Sequence, residues 1–121
     1  MNEQGAQARV LVVDDEPGVR ESLRAILNGD YEVLTADCGE QALAIVTREP
    51  IDIMTLDLKM PGLGGVRVLQ RVKQIDPDIE VLIITGNGSL DSAVEGIRLR
   101  AFDYLTKPFE KDDLIAYLEL L

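Results

Sequence analysis

Five short runs dense in Val, Ile and Leu recur along the chain: Val10 to Val13, Tyr31 to Ala36, Ile51 to Leu56, Ile79 to Thr85 and Phe102 to Thr106. Their length and branched side chains predict buried strands. Between them the apolar residues switch to helical spacing: Val19, Leu23, Ile26 and Leu27; Ala42, Leu43 and Val46; Val66, Leu69 and Val72; Leu90, Val94 and Ile97; then Leu114, Ile115 and Leu118. Strand-helix alternation requires parallel pairing through right-handed crossovers, and near-continuous apolar strands require helices over both sheet faces. The expected class is α/β, a doubly wound five-stranded parallel sheet flanked by five helices. Pro17 suits the first position of the first helix, where a missing N–H costs nothing, and Asn28-Gly29 suits its end.

A chain of 121 residues, 46% hydrophobic, has room for one core and needs no covalent staple. The lone Cys38 cannot form an internal bridge, and the absence of histidine excludes Cys/His zinc sites and His-based triads. With 12 basic against 22 acidic residues the net charge is −10, and the basic residues are scattered, as at Arg98 and Arg100. No concentrated basic footprint for direct nucleic-acid binding is visible. Residues 1–8 lack a basic start and an apolar stretch, and Val81 to Leu90, the longest charge-free segment, is half a membrane span. Cytoplasmic residence is the expectation, with residues 1–8 a disordered leader and 9–121 the domain. The last helix runs to Leu121 with no capping glycine, which suggests a fragment of something longer.

Asp14 and Asp15 follow the first strand, Asp57 follows the third, Thr85 ends the fourth and Lys107 follows the fifth. All sit at carboxyl edges. Ligands of open parallel sheets bind outside those edges where strand order reverses, which for the order 2-1-3-4-5 lies between the first and third strands. Asp14, Asp15 and Asp57 meet there. Three carboxylates in one crevice either take up protons at raised pKa or admit a cation. Oxygen ligands without nitrogen or sulfur favour Mg²⁺, which keeps waters and bridges readily to phosphate. Lys107 supplies a mobile point charge and Thr85 a hydroxyl donor. A cis Lys107-Pro108 bond would aim the lysine back over the crevice, whereas a trans proline would simply open the last helix. Singly, an acidic pair before a helix reads as a cap and dipole partner. Together, five such residues on the edges of four strands are hard to assign to solvation.

Val12-Val13-Asp14-Asp15-Glu16-Pro17, Leu56-Asp57-Leu58-Lys59-Met60-Pro61-Gly62, Ile84-Thr85-Gly86 and Tyr104-Leu105-Thr106-Lys107-Pro108-Phe109 resemble the receiver domain of bacterial response regulators. Four separated blocks occur in order and span nearly all the chain after Ala8. The resemblance implies that Asp57 accepts a phosphoryl group from a phosphohistidine partner, a sensor histidine kinase or phosphotransfer protein. It also implies that Asp15, Asp57 and the Lys59 backbone carbonyl ligate Mg²⁺, with Asp14 holding the metal through water. Lys107 would pair with the phosphoryl group, and Thr85 with Tyr104 would form the switch. Lys59 and Asn87 would flank the path of the hydrolytic water.

The stretch from Thr85-Gly86-Asn87-Gly88-Ser89 to Ala101-Phe102-Asp103-Tyr104 is most similar to receivers of enhancer-binding transcription activators that carry an AAA+ ATPase. It departs at Arg100, where many relatives have glycine before Ala101. Such a glycine would serve a left-handed helix end, so Arg100 either accepts strain or ends its helix differently. The output domain would lie outside this chain. The face carrying Leu90, Val94, Ile97 and Tyr104, from the helix after the fourth strand to the last helix, would govern homodimerisation or output contact, while helical spacing sends at least two of its three helical residues into the core.

The reading is a phosphorelay switch with Mg²⁺ as cofactor and no turnover beyond self-phosphorylation and self-dephosphorylation at Asp57. The alternatives are an Mg²⁺-dependent aspartyl phosphohydrolase, disfavoured by adjacent rather than spaced aspartates and by the lack of a cap insertion, and an unphosphorylated docking receiver. A flavin mononucleotide site would need a Ser/Thr/Gly-rich loop where Asp14-Asp15-Glu16 stands.

Overall fold

The computed structural model describes residues 7–86, 94 and 97–121. Five strands, β1 (Arg9–Val13), β2 (Glu32–Ala36), β3 (Ile53–Leu56), β4 (Glu80–Thr85) and β5 (Asp103–Thr106), form one parallel sheet in the order β2-β1-β3-β4-β5. Four helices have both ends among the described residues: α1 (Pro17–Leu27), α2 (Gly39–Arg48), α3 (Gly65–Ile75) and α4 (Lys111–Glu119). Between β4 and β5, Val94, Ile97 and Arg98 are helical as expected, while Leu90 and Asn87 lie outside the described residues. Of the expected leader, residues 1–6 lie outside them too, and the Ala8 carbonyl accepts the Glu32 N–H at 2.9 Å.

Alternating strand residues feed two cores. Val10, Val12, Ile53, Leu82 and Ile84 pack with Leu23 and Leu27 of α1 and Leu114 and Leu118 of α4. Leu11, Val13, Met54, Leu56, Val81 and Ile83 pack on the other face with Ala42 and Val46 of α2 and Val68, Leu69 and Val72 of α3. The expected runs start one or two residues before strands β2 to β5, because apolar composition marks burial and not pairing. Ile51 and Ile79 are buried ahead of their strands. Pro17 does open α1, and Gly29, at φ +105°, follows its cap Asn28.

Two positions depart from the sequence reading. Val94 and Ile97 are 47% and 42% exposed, so the expectation that at least two of Leu90, Val94 and Ile97 enter the core fails. Helical spacing marks a common face but not the side turned to the sheet, and here Leu99 and Ala101 reach the core instead. Arg100 takes the left-handed conformation, at φ +73°. That conformation costs a residue with a Cβ about 1–2 kcal/mol, against about 0.5–1 kcal/mol of extra chain entropy for glycine. Arg100→Gly is therefore expected to raise the unfolding free energy by about 0.5–1 kcal/mol, measured as a higher urea midpoint at unchanged slope.

Thr55 of β3 is 1% exposed, and its Oγ1 is the buried side-chain polar atom among the described residues that finds no partner. Leaving a hydroxyl unpaired in the interior costs about 1–3 kcal/mol. Thr55→Val keeps the branched shape and is expected to stabilise the fold by about 1 kcal/mol, checked by the same denaturation.

Candidate functional site

Backbone hydrogen bonds carry the ladders one residue past the strand ends and thereby place the chemical groups. The Asp14 N–H donates to the Ala36 carbonyl (3.1 Å), the Asp57 N–H to Val13 (3.0 Å) and the Lys107 N–H to Thr85 (2.8 Å). Asp14 and Asp57 stand side by side above neighbouring strands because β1 pairs with β3 in register, Val13 opposite Leu56. Both are buried, at 2% and 4% exposure.

Lys107 joins them. Its ammonium lies 2.7 Å from Asp14 Oδ2, 3.1 Å from Glu16 Oε1 and 3.2 Å from Asp57 Oδ2. The Lys107-Pro108 peptide is cis, the first of the two expected alternatives. Asp57 Oδ1 accepts the Lys59 N–H at 3.0 Å and the Thr85 hydroxyl at 3.4 Å. Asp14 Oδ1 accepts the Glu16 N–H at 2.9 Å. Burial pushes the Asp14 carboxyl above its ordinary range, and the neighbouring Asp57 charge adds to the rise, while Lys107 and the Glu16 N–H pull the other way. Burial opposes the Lys107 charge, but Asp14, Glu16 and Asp57 outweigh it and hold the ammonium well above its usual value.

Carboxylate oxygens of Asp14, Asp15, Glu16 and Asp57 all lie within 4.8 Å of one another. An all-oxygen, strongly anionic donor set with two buried members fits a hard divalent cation such as Mg²⁺, and one lysine does not balance its charge. Asp14, Asp15, Asp57, Thr85 and Lys107 thus come together as expected, and Lys59 contributes its N–H. Tyr104 stands apart, 37% exposed on β5, beside a surface groove that Asp103, Phe109 and Tyr117 help line.

Three contributors escaped the sequence reading. Glu16 pairs with Lys107. Arg20, one turn into α1, donates from Nη1 to the Asp14 carbonyl at 2.7 Å and pins the acidic turn. Gly65 lets α3 approach the Asp57 loop: a Cβ there would sit 2.5 Å from Leu58 Cα and 2.7 Å from the Asp57 carbonyl oxygen. The available signals were the run of three acids, an arginine four residues beyond Glu16, and the Gly64-Gly65 pair opening a helix.

A sheet whose reversal point holds buried aspartates, a lysine and a hydroxyl defines a class, and the family model for the response regulator receiver domain matches residues 10–119. The chain belongs to that family, as a phosphoacceptor switch module of two-component signalling. It is 41% identical over 107 residues to sporulation initiation phosphotransferase F of Bacillus subtilis, covering 88% of this chain and 86% of the relative. It is 37% identical over 111 residues to the DNA-binding transcriptional regulator NtrC of Salmonella typhimurium, covering 91% of this chain but 24% of that protein. Among solved structures, a response regulator receiver domain protein from Clostridium thermocellum superposes with a TM-score of 0.88 at 38% identity, over 93% of this chain and 92% of the other. NtrX from Brucella abortus gives 0.89 at 35% identity, over 94% and 26%. No helix among the described residues is long and apolar enough to cross a membrane.

Proposed function

We propose that Asp57 is the phosphoacceptor, that Asp15, Asp57 and the Lys59 carbonyl ligate Mg²⁺ with Asp14 acting through water, and that Thr85 and Tyr104 relay the change. The observation that carries this reading is the convergence on one buried carboxylate of Lys107, the Lys59 N–H and the Thr85 hydroxyl. An Asp57 oxygen attacks phosphorus in line as the P–N bond of a phosphohistidine breaks, the electron pair leaving with the imidazole nitrogen. Bound Mg²⁺ supplies neutralisation of the phosphoryl oxygens. Lys107 turns one of its three donors to a phosphoryl oxygen and balances the charge that arrives.

Conversion of Asp57 to an acyl phosphate takes its charge from −1 to about −2 and adds acceptor oxygens. Thr85 moves toward them, and the freed space admits the Tyr104 ring. Charge-assisted hydrogen bonds contribute about 1.5–3 kcal/mol each, so two or three approach the roughly 5.5 kcal/mol that inverts a 1:99 equilibrium. Exposed Val94, Ile97 and Tyr104 place apolar area on the face we assign to dimerisation or output contact. The phosphodonor is a sensor histidine kinase or phosphotransfer protein, the output region lies outside this chain, the setting is the cytoplasm, and turnover is confined to Asp57 itself.

Incubation with a small phosphodonor and Mg²⁺, then borohydride reduction, converts an acylated aspartate to homoserine. Peptide mass spectrometry is expected to find homoserine at position 57 alone; a different residue carrying the mark would displace this assignment.

A further inference from the structure

Glu16 occupies the N-cap of α1, yet its side chain makes no capping hydrogen bond. It reaches across the crevice to Lys107 instead. Its backbone leaves it little choice of position: the N–H is bound to Asp14 Oδ1, and the carbonyl accepts the N–H groups of Val19 and Arg20, both at 3.1 Å. The ammonium of Lys107 has three donors, and Asp14, Glu16 and Asp57 take all three. These partners differ in one respect. The Asp14 and Asp57 side chains are 3% and 4% exposed, whereas that of Glu16 is 63% exposed, at the mouth where the crevice meets a groove walled by Val19, Ile26 and Phe109.

The geometry points to Glu16 as a positioning residue that discriminates among phosphodonors by charge: it holds the third donor of Lys107 until a phosphoryl group takes it, and its carboxylate repels donors whose leaving group is anionic. Water compensates the exposed Glu16 readily, so it is the partner Lys107 gives up most easily. An acyl phosphate expels a carboxylate and carries a full negative charge past Glu16. A phosphoramidate, or a phosphohistidine, expels a neutral amine or imidazole whose leaving nitrogen has taken a proton from solvent, and the passing charge is smaller or positive. In each transfer the bond from phosphorus to the leaving atom breaks as the bond from Asp57 oxygen to phosphorus forms. This inference rests on Asp57 being the acceptor.

The test measures, with Mg²⁺, the second-order rate constants for acetyl phosphate and phosphoramidate on wild type, Glu16→Gln and Glu16→Asp. Removing one charge at the mouth is expected to raise the acetyl phosphate to phosphoramidate ratio about five-fold in Glu16→Gln, while Glu16→Asp, which keeps the charge, holds the wild-type ratio. In the metal-free protein, proton exchange of the Lys107 ammonium, followed by ¹⁵N NMR, should be faster in Glu16→Gln than in wild type. An unchanged ratio, or equal shifts in the Gln and Asp variants, would overturn the inference. So would a loss of Mg²⁺ affinity in Glu16→Gln matching that of Asp15→Ala, which would place Glu16 on the metal. Homoserine at a residue other than 57 would defeat the acceptor assignment instead, whatever the ratios.

Discussion

Asp57→Asn is expected to lose phosphorylation by at least a hundred-fold while making the metal-free protein more stable, by about 1 kcal/mol. The loss follows from the role proposed for Asp57: an amide oxygen cannot replace as nucleophile the carboxylate on which Lys107, Thr85 and the Lys59 N–H converge. The gain follows from the same geometry. Four carboxylates crowd within 4.8 Å of one another, and Lys107 pairs with three of them. Asn is nearly the shape of Asp and removes one charge, leaving Lys107 to Asp14 and Glu16. On the proposed reading Mg²⁺ would stabilise the wild type by binding only the folded form, and the variant should lose most of that stabilisation. Denaturation with and without Mg²⁺, beside the labelling assay, reads both halves. A variant less stable than wild type without metal would show that the pairing of Asp57 with Lys107 outweighs its repulsion from the other carboxylates.

Lys107→Ala carries the largest expected cost in stability, about 3 kcal/mol at neutral pH without divalent metal, since it strands two buried carboxylates beside each other. The pH dependence has a definite sign. Lys107 titrates above its unfolded value, so its stabilisation is whole throughout the neutral range and fades only as pH rises through that elevated pKa. Asp14 also titrates above its unfolded value; for a carboxyl this means that the folded state holds its proton more tightly and gains stability as pH falls. Without Lys107 the Asp14 carboxyl rises further. The gap between variant and wild type should therefore narrow as pH drops from neutral through the Asp14 transition, and Mg²⁺ at neutral pH should narrow it as well. Urea unfolding across pH 4 to 8 measures this; a gap constant with pH would mean that the lysine stabilises through its methylene packing alone.

Much of the architecture was legible in one dimension because its signals are local. Apolar runs such as Val10 to Val13 and helical spacing such as Leu23 to Leu27 report burial and period directly, and the alternation of the two leaves few chain paths open. The site was legible for a related reason: parallel pairing puts every strand's carboxyl end on one edge, so Asp14, Asp57, Thr85 and Lys107 had to gather wherever the strands were placed in order. Paired elements were less legible at their limits, as Ile51 and Ile79 show, since a buried residue outside the ladder has the same composition as one within it.

Other features depend on distances between residues far apart in the chain, which no local pattern encodes. Glu16 meets Lys107 across 91 positions, and only the approach of α1 to the loop after β5 turns an ordinary cap residue into part of the site. Gly65 matters because α3 comes within contact of the Asp57 loop, and the hydroxyl of Thr55 is an orphan because the fold buries it away from any partner. Val94 and Ile97 share a helical face in the sequence, but the fold leaves both exposed while Leu99 and Ala101 reach the core. The sequence by itself determined the strands, the helices and the edge where the chemistry gathers, because each is a short-range preference repeated along the chain. Tertiary structure alone decided which side chains share a proton donor, which glycine cannot be replaced and which apolar face is left to solvent, because those depend on packing between elements that meet only after the chain has folded.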